Sequence, residues 1–507
     1  MSTAIKKNAA LLALLGYLVL TFFTNGYITA FDAGPVGVHQ WRQADGASQA
    51  INYYQHDISF WTPQTHNLDG KNGFAASEFP LIYWVAGWLY RVFGPHDGIV
   101  RCLTWFFAFI GWISAFYSGK LIFRNQWLAL IPVGMLVTLP YHQYYSFNFL
   151  PDMPAFGMAL LGIYSWFRFE EAGNRKFIWL FAGASALGML LKVSSGIAFW
   201  AVLATILFRY LSERDYRGKI KPAAIQILIS SFLVIAVNLA WIFYVRWFNE
   251  YYGTGRNLLK PIPIWEMDHE SIVRNLDFFW NMWMNDLMLK KVRWIFAGLF
   301  FVLILFAGRA RRDLLILSVF VFLGAISYSM LFFRAFDEHD YYMINLAFFP
   351  FIVFIASVEL LKRSFRFQNL VQILIVSGLL FILVTCLHHS GRIQTRRYKG
   401  SLGGGYNPAF RSLSGFMVRH GIPVDALVVS IPDGSPNISL YLMNRMGWSE
   451  IFEMQEGNMK EHIGDGAGFL VVSGAIVNHP EWYEPYMLPE MLVGDTAGIK
   501  IYRLQEL

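Results

Sequence analysis

Eleven stretches of this sequence are apolar over about the length a helix needs to cross a membrane, and no other feature constrains the fold as strongly. About 20 apolar residues span the hydrocarbon core. The runs lie near residues 9–30, 99–121, 127–147, 152–169, 176–191, 194–210, 222–247, 293–308, 313–333, 341–361 and 369–388. Only 15% of the 507 residues are charged, against about 25% in soluble domains, and the mean hydropathy is +0.41. These runs predict a polytopic α-helical membrane protein of about 11 spans. The segment 79–93 is different. Phe79, Ile82, Tyr83, Ala86, Leu89, Tyr90 and Phe93 make a helical stripe, but the segment is short and carries Arg91. It fits a helix lying at the membrane surface.

The charges give the orientation. Lys6/Lys7, Lys120/Arg124, Arg168/Arg175/Lys176, the RYLSERDYRGKIK loop, GRARR at 308–312 and LKRSFR at 361–366 all fall on one side of the predicted spans. Basic clusters beside spans mark the cytoplasmic side, so the net charge of +7 reflects topology and no nucleic-acid partner is expected. One helix instead of two around Lys192 would break this pattern, so two are expected. The first run is longer than the apolar core of a signal peptide and reads as a retained span. Cys102 and Cys386 lie in separate apolar segments and read as packing residues. The other side of the membrane receives the loop 31–98, the turn 148–151, the loop 248–292, the turn 334–340 and the tail.

After Leu387 the composition changes. HHSGRIQTRRYKGSLGGGYNP reads as a linker, DALVVSIP, GFLVVSG and IKIYRL as strands, and NISLYLMNRMG as a helix. The expected organisation is a membrane domain, 1–390, that includes the outer loop 31–98, and a linker plus small extracytoplasmic α/β domain, 391–507.

Ionisable and aromatic residues gather on the outer side, which places the working face there. HQWRQAD at 39–45 opens the first loop. Asp45 is either a solvated carboxylate paired with Arg42 one helical turn earlier, or a reactive one held by that arginine. Glu78 is placed to interact with the dipole at the start of the surface helix, or to act chemically. Asp152, in LPDMP, is a helix cap or a functional group at the interface. Lys192 lies between two apolar runs; an intramembrane lysine is a functional candidate unless it snorkels to headgroups. Arg334, Asp337, Glu338, His339 and Asp340 crowd one outer turn, followed by Tyr341 and Tyr342. His269, between Asp268 and Glu270, is either a metal ligand or a plain loop residue.

A first span, a long outer loop with an early aspartate and an E-x-P-L-x-Y-W surface helix together resemble the glycosyltransferase-C superfamily. The likeness is to its branch using polyprenyl-phosphate sugars, which includes protein O-mannosyltransferases, the aminoarabinose transferase of lipid A and lipopolysaccharide-core galacturonosyltransferases. It covers about residues 8–390. The resemblance implies that Asp45 is the active-site aspartate of the first loop, that Asp152 in FLPDMPAFGMALLGIY is the later aspartate opening a span, that Lys192 in LLKVSSG is the hairpin lysine, and that Tyr341 and Tyr342 lie near the lipid phosphate. Two departures stand out. The usual Asp-Glu pair is Asp45-Gly46, and the frequent Lys-Pro-Pro is Glu78-Phe79-Pro80.

The implied function is transfer of a sugar from a polyprenyl-phosphate carrier to a glycan, lipid or protein acceptor, with inversion at the anomeric carbon, at the cell membrane. A departing phosphate is a weak base and needs no general acid; the reaction needs a base for the acceptor hydroxyl and positive charge for the phosphate. Asp45 is the expected base, with Asp152 the second catalytic candidate. Arg42, Glu78, Lys192, Arg334, His339, Tyr341 and Tyr342 are expected to bind substrate, and a divalent metal ion could share the charge. The rival reading, a transporter or flippase of lipid-linked saccharides, predicts internal repeats, and the sequence has none.

Overall fold

The structure, a computed structural model, describes residues 3–254, 261–337, 339–364, 389–399, 407–449, 457–474 and 479–505, with a few single positions between 365 and 388. The helices used below are α1 (Thr3–Thr24), α2 (Gln40–Gln55), α3 (Leu81–Phe93), α4 (Asp97–Phe123), α5 (Leu130–Thr138), α6 (Pro140–Ser146), α7 (Asp152–Ala172), α8 (Lys176–Leu191), α9 (Gly196–Ser212), α10 (Ala224–Tyr252), α11 (His269–Asp277), α12 (Lys290–Leu305), α13 (Arg312–Leu331), α14 (Phe348–Ser364), α15 (Phe410–Arg419) and α16 (Ile438–Met443). The strands are β1 (Leu427–Ile431), β2 (Gly447–Ser449), β3 (Ala467–Val472), β4 (Leu492–Thr496) and β5 (Ile499–Arg503). By contacts the chain forms two compact units. The first holds Met1–Ala30, Arg101–Phe243 and Leu259–Arg396, the second Phe31–Val100, Tyr244–Leu258 and Arg397–Leu507. The first loop, expected within the membrane domain, thus groups with the tail.

Among the described residues five helical stretches are long and apolar enough to cross a membrane: Asp97–Phe123, Val193–Ser212, Arg214–Tyr252, Arg312–Leu331 and Asp340–Ser364. Asn8–Thr24, Lys176–Leu191 and Leu81–Phe93 are apolar but shorter. Along α10, Ile225, Leu228, Phe232 and Leu233 are exposed, a continuous apolar face of the kind that lipid covers. The chain is a multi-pass α-helical membrane protein with a small C-terminal sheet.

The first unit is the helical one. α7 packs along α8, α9 packs against α13, and α14 packs against both α12 and α13. The run 127–147, expected as one span, is instead two short helices, α5 and α6. Leu139 is extended (φ −67°, ψ 123°) because a proline disfavours the helical region for the residue before it. Lys192 likewise ends α8 in extended conformation (φ −158°, ψ 117°) and a single 3-10 turn, Val193–Ser195, leads into α9. Two helices therefore stand around Lys192, as the charge pattern required. The run 369–388 lies almost wholly outside the described residues. Residues 389–399, read as part of a linker, are helical.

In the second unit α2 lies against α3. The crossing is close: a Cβ on Gly46 would sit 2.5 Å from the Tyr83 ring. Small buried residues of α2, Ala44, Ala47 and Ala50, face the interior. The tail forms a five-stranded mixed sheet in the order β2-β1-β3-β5-β4. β1 is parallel to β2 and β3, and β5 runs antiparallel to β3 and β4. The three strands and the helix expected from sequence are β1, β3, β5 and α16. β2 and β4 leave little trace in the sequence because one is three residues long and the other, LVGDT, has only two apolar residues to show. One core on this sheet joins Phe410, Leu413, Val428, Leu440, Met443 and Ile501 with Ala44 of α2.

Candidate functional site

Two clusters hold the sequence-derived candidates, one in each unit. In the second unit Arg42 and Asp45 lie on one turn of α2, and Glu78 precedes α3. The Arg42 guanidinium is shared. Its Nη2 donates to Glu78 Oε2 at 2.5 Å, and its Nη1 to Asp45 Oδ2 at 3.3 Å. The three side chains are 15–19% exposed, so water reaches them. Charge-assisted bonds are strongest when short, and the shorter one belongs to Glu78. Glu78 therefore does not act as the cap of α3, which has Pro80 at its cap position and no side-chain cap bond. Tyr83 fills the space beside Gly46 where a second side chain would stand.

In the first unit Lys192 lies at the break between α8 and α9, 9% exposed. Its Nζ sits 5.2 Å above the Tyr341 ring and 5.1 Å above the Tyr342 ring, within reach of both π faces. Asp152, the first residue of α7, is fully buried and lies 3.7 Å from that ammonium. This distance makes an ion pair rather than a hydrogen bond. His339 stacks on Tyr341 at 5.3 Å and an interplanar angle of 12°. The Arg334 side chain is exposed, and its backbone N–H donates to the Ile262 carbonyl.

The cluster is braced by residues that sequence reading did not single out. Tyr145 donates its hydroxyl hydrogen bond to Asp340, and both are buried. Asn345 donates to Ser194 Oγ at 2.7 Å, fixing the 3-10 turn beside Lys192. Arg101 is fully buried and donates to the Phe147 carbonyl at 2.8 Å, over the Phe149 ring, in the turn that leads to Asp152. A buried arginine inside an apolar run is a sequence signal, and Arg101 carried it unnoticed.

Among the described residues no group of three His, Cys, Asp or Glu side chains is arranged to hold a metal ion. Asp45 and Glu78 both engage Arg42, which makes them a poor ready-made ligand pair. Beside His269, Asp268 caps α11 by accepting from Ser271 N–H at 2.8 Å. Hydrogen bonds from Ser271 hold the Asp268 carboxyl below its usual range. Capping accounts for that carboxylate.

A family model described as dolichyl-phosphate-mannose-protein mannosyltransferase matches residues 77–241, a segment that contains Glu78, Asp152 and Lys192. The fold matches ArnT from Cupriavidus metallidurans, solved with undecaprenyl phosphate, at a TM-score of 0.60 and 11% identity, over 97% of each chain. The chain has the fold of ArnT. This fold also matches the oligosaccharyltransferase AglB from Archaeoglobus fulgidus, solved with an inhibitory peptide and a dolichol-phosphate. That match has a TM-score of 0.52 and 11% identity and covers 92% of this chain and 70% of AglB. No curated protein sequence matches it.

Proposed function

We propose that this protein is an inverting membrane glycosyltransferase that moves a sugar from a polyprenyl-phosphate carrier to an envelope glycan, lipid or protein acceptor on the outer face. The glycosyltransferase-C fold supports the reaction class, and the ArnT and AglB structures, solved with undecaprenyl phosphate and dolichol-phosphate, support the carrier. The membrane domain has eleven spans in this reading, and the tail lies outside the membrane.

One observation carries the assignment of the base. Glu78 takes the short bond to Arg42, leaving Asp45 at 3.3 Å from the guanidinium. A carboxylate held ionised and oriented by an arginine that it shares with a second acid can accept a proton. Asp45 removes the proton of the acceptor hydroxyl as that oxygen attacks the anomeric carbon. The bond from that carbon to the carrier phosphate breaks on the opposite side, and the phosphate leaves with the electron pair. Lys192 neutralises the leaving phosphate, with Tyr341 and Tyr342 fixing the ammonium and Asp152 orienting it. His339 supports the tyrosines. Arg334, exposed at the turn, meets the carrier only at its approach. No step is assigned to a metal ion.

The test is mass spectrometry of envelope glycans in cells with and without the gene, followed by complementation. Asp45→Asn keeps the shape but removes the charge. It is expected to insert and fold yet fail to restore the missing glycan. Restoration at the normal level by Asp45→Asn would move the base elsewhere, with Asp152 next.

A further inference from the structure

The small C-terminal domain has no part in the reaction just described, yet its contacts run to the helix that carries Asp45. Its α16 lies against α2, and Ala44, the residue before Asp45, is buried in the same core as Ile438, Leu440 and Met443. The polar contacts are more specific. Asn437, 1% exposed, donates from Nδ2 to the Ala44 carbonyl at 3.3 Å and accepts the His66 N–H on Oδ1 at 3.1 Å. Both halves of one buried amide are thus used, one on α2 and one on the first loop. Around it the loop is stitched to the tail by other bonds. Asn67 donates to the Pro436 carbonyl at 2.6 Å, Leu68 N–H to the Gly447 carbonyl at 2.7 Å, and Gly447 N–H to the His66 carbonyl at 3.0 Å.

The Ala44 contact differs from the rest of this seam. A helix carbonyl already has its partner within the helix, so a second, buried donor is not needed to satisfy it. What the extra bond adds is position. It fixes the turn of α2 from which Arg42 and Asp45 project, while the Arg42–Glu78 bond fixes the far end of the same cluster.

We infer that Asn437 is a positioning residue for the transfer reaction: the C-terminal domain, through its amide on the Ala44 carbonyl, sets where the Asp45 carboxylate stands. This rests on the proposed role of Asp45 as base. Asn437 itself touches no reacting atom. The domain is then a working part of the active site, and a displacement of α2 by about 1 Å is enough to cost on the order of 100-fold in rate.

The experiment compares Asn437→Asp with Asn67→Ala in the full-length protein. Asn437→Asp keeps the acceptor for His66 N–H but, when ionised, has no donor for the Ala44 carbonyl. Asn67→Ala loosens the same seam without touching α2. Membranes matched for folded protein are assayed for formation of the glycan that depends on the gene, across a range of pH. Asn437→Asp is expected to lower the rate about 10- to 100-fold at neutral pH. The deficit relative to the parent should shrink as pH falls, because the protonated carboxyl regains a donor. Asn67→Ala should lower thermal stability and leave the rate per folded molecule within about twofold, a difference of under 1 kcal/mol in the barrier. An unchanged rate in Asn437→Asp, a deficit that does not respond to pH, or equal losses in both variants would overturn the inference. Insufficient folded Asn437→Asp is met by Asn437→Ser, which must lower the rate per folded molecule without changing protein level. The parent reading fails separately, by activity in Asp45→Asn; an inactive Asp45→Asn with a fully active Asn437→Asp removes this inference alone.

Discussion

His66 makes the seam between the first loop and the tail sensitive to acid. The imidazole is 1% exposed. Its Nδ1 is 2.6 Å from Ser48 Oγ, and its Nε2 is 3.4 Å from Asn444 Oδ1. Nε2 faces the Asn444 amide oxygen, an acceptor, which favours the ring proton on Nε2 and leaves Nδ1 to accept from Ser48 Oγ, an oxygen that also accepts the His66 backbone N–H at 2.9 Å. Burial is the main cause that pushes the pKa from 6.5 down to about 4, with nearby His56 adding in the same direction and the Asn444 bond opposing it. The folded state therefore prefers the neutral ring. Stability is fully present above the unfolded pKa of about 6.5 and is lost as pH falls toward 4, because over that range the unfolded chain binds the proton and the folded one does not. Each pH unit is worth about 1.4 kcal/mol, so the total is about 3 kcal/mol and the loss at pH 5 about 2 kcal/mol. Amide exchange of β1 and of the backbone at 66–68, corrected for intrinsic rates, should then speed up about 20-fold at pH 5 relative to pH 7 in excess of that seen in His66→Gln. Parallel behaviour of the two proteins, or slower exchange of the parent at pH 5, would refute the reasoning.

Two further outcomes follow from the same geometry. Lys192→Met keeps the length of the side chain but leaves Asp152 buried without its ammonium; it should abolish glycan formation and lower stability by about 3 kcal/mol, whereas Asp152→Asn combined with it should recover most of the stability and none of the activity, read by thermal unfolding and glycan mass spectrometry. Gly46→Ala places a methyl group 2.5 Å from the Tyr83 ring; it should destabilise the protein by about 1–3 kcal/mol, and adding Tyr83→Leu should recover at least half of the lost stability in thermal unfolding.

The primary sequence by itself determined the membrane class, the strands β1, β3 and β5, the helix α16 and the helical break at Lys192. Each of these is a local matter: apolar length, residue branching or a charge between two apolar runs reports directly on the solvent that the segment needs. The resemblance to the glycosyltransferase-C superfamily was also legible, because it rests on the order of short motifs along the chain. Local pattern could not say which partner a side chain takes. Glu78 could cap its own helix or reach Arg42, 36 positions earlier, and only the packing of α2 on α3 decided for Arg42. By sequence the glycine at 46 reads as a missing acid; in the fold the Tyr83 ring occupies the space where its side chain would stand. Lys192 meets the two tyrosines across about 150 positions of sequence, beside a 3-10 turn at 193–195 whose Ser194 accepts from Asn345, 151 positions away. The role of the tail depended most on the fold. Asn437 and Ala44 are 393 positions apart, and a hydrogen bond between a common amide and a backbone carbonyl leaves no mark on either stretch of sequence, since every residue has such a carbonyl.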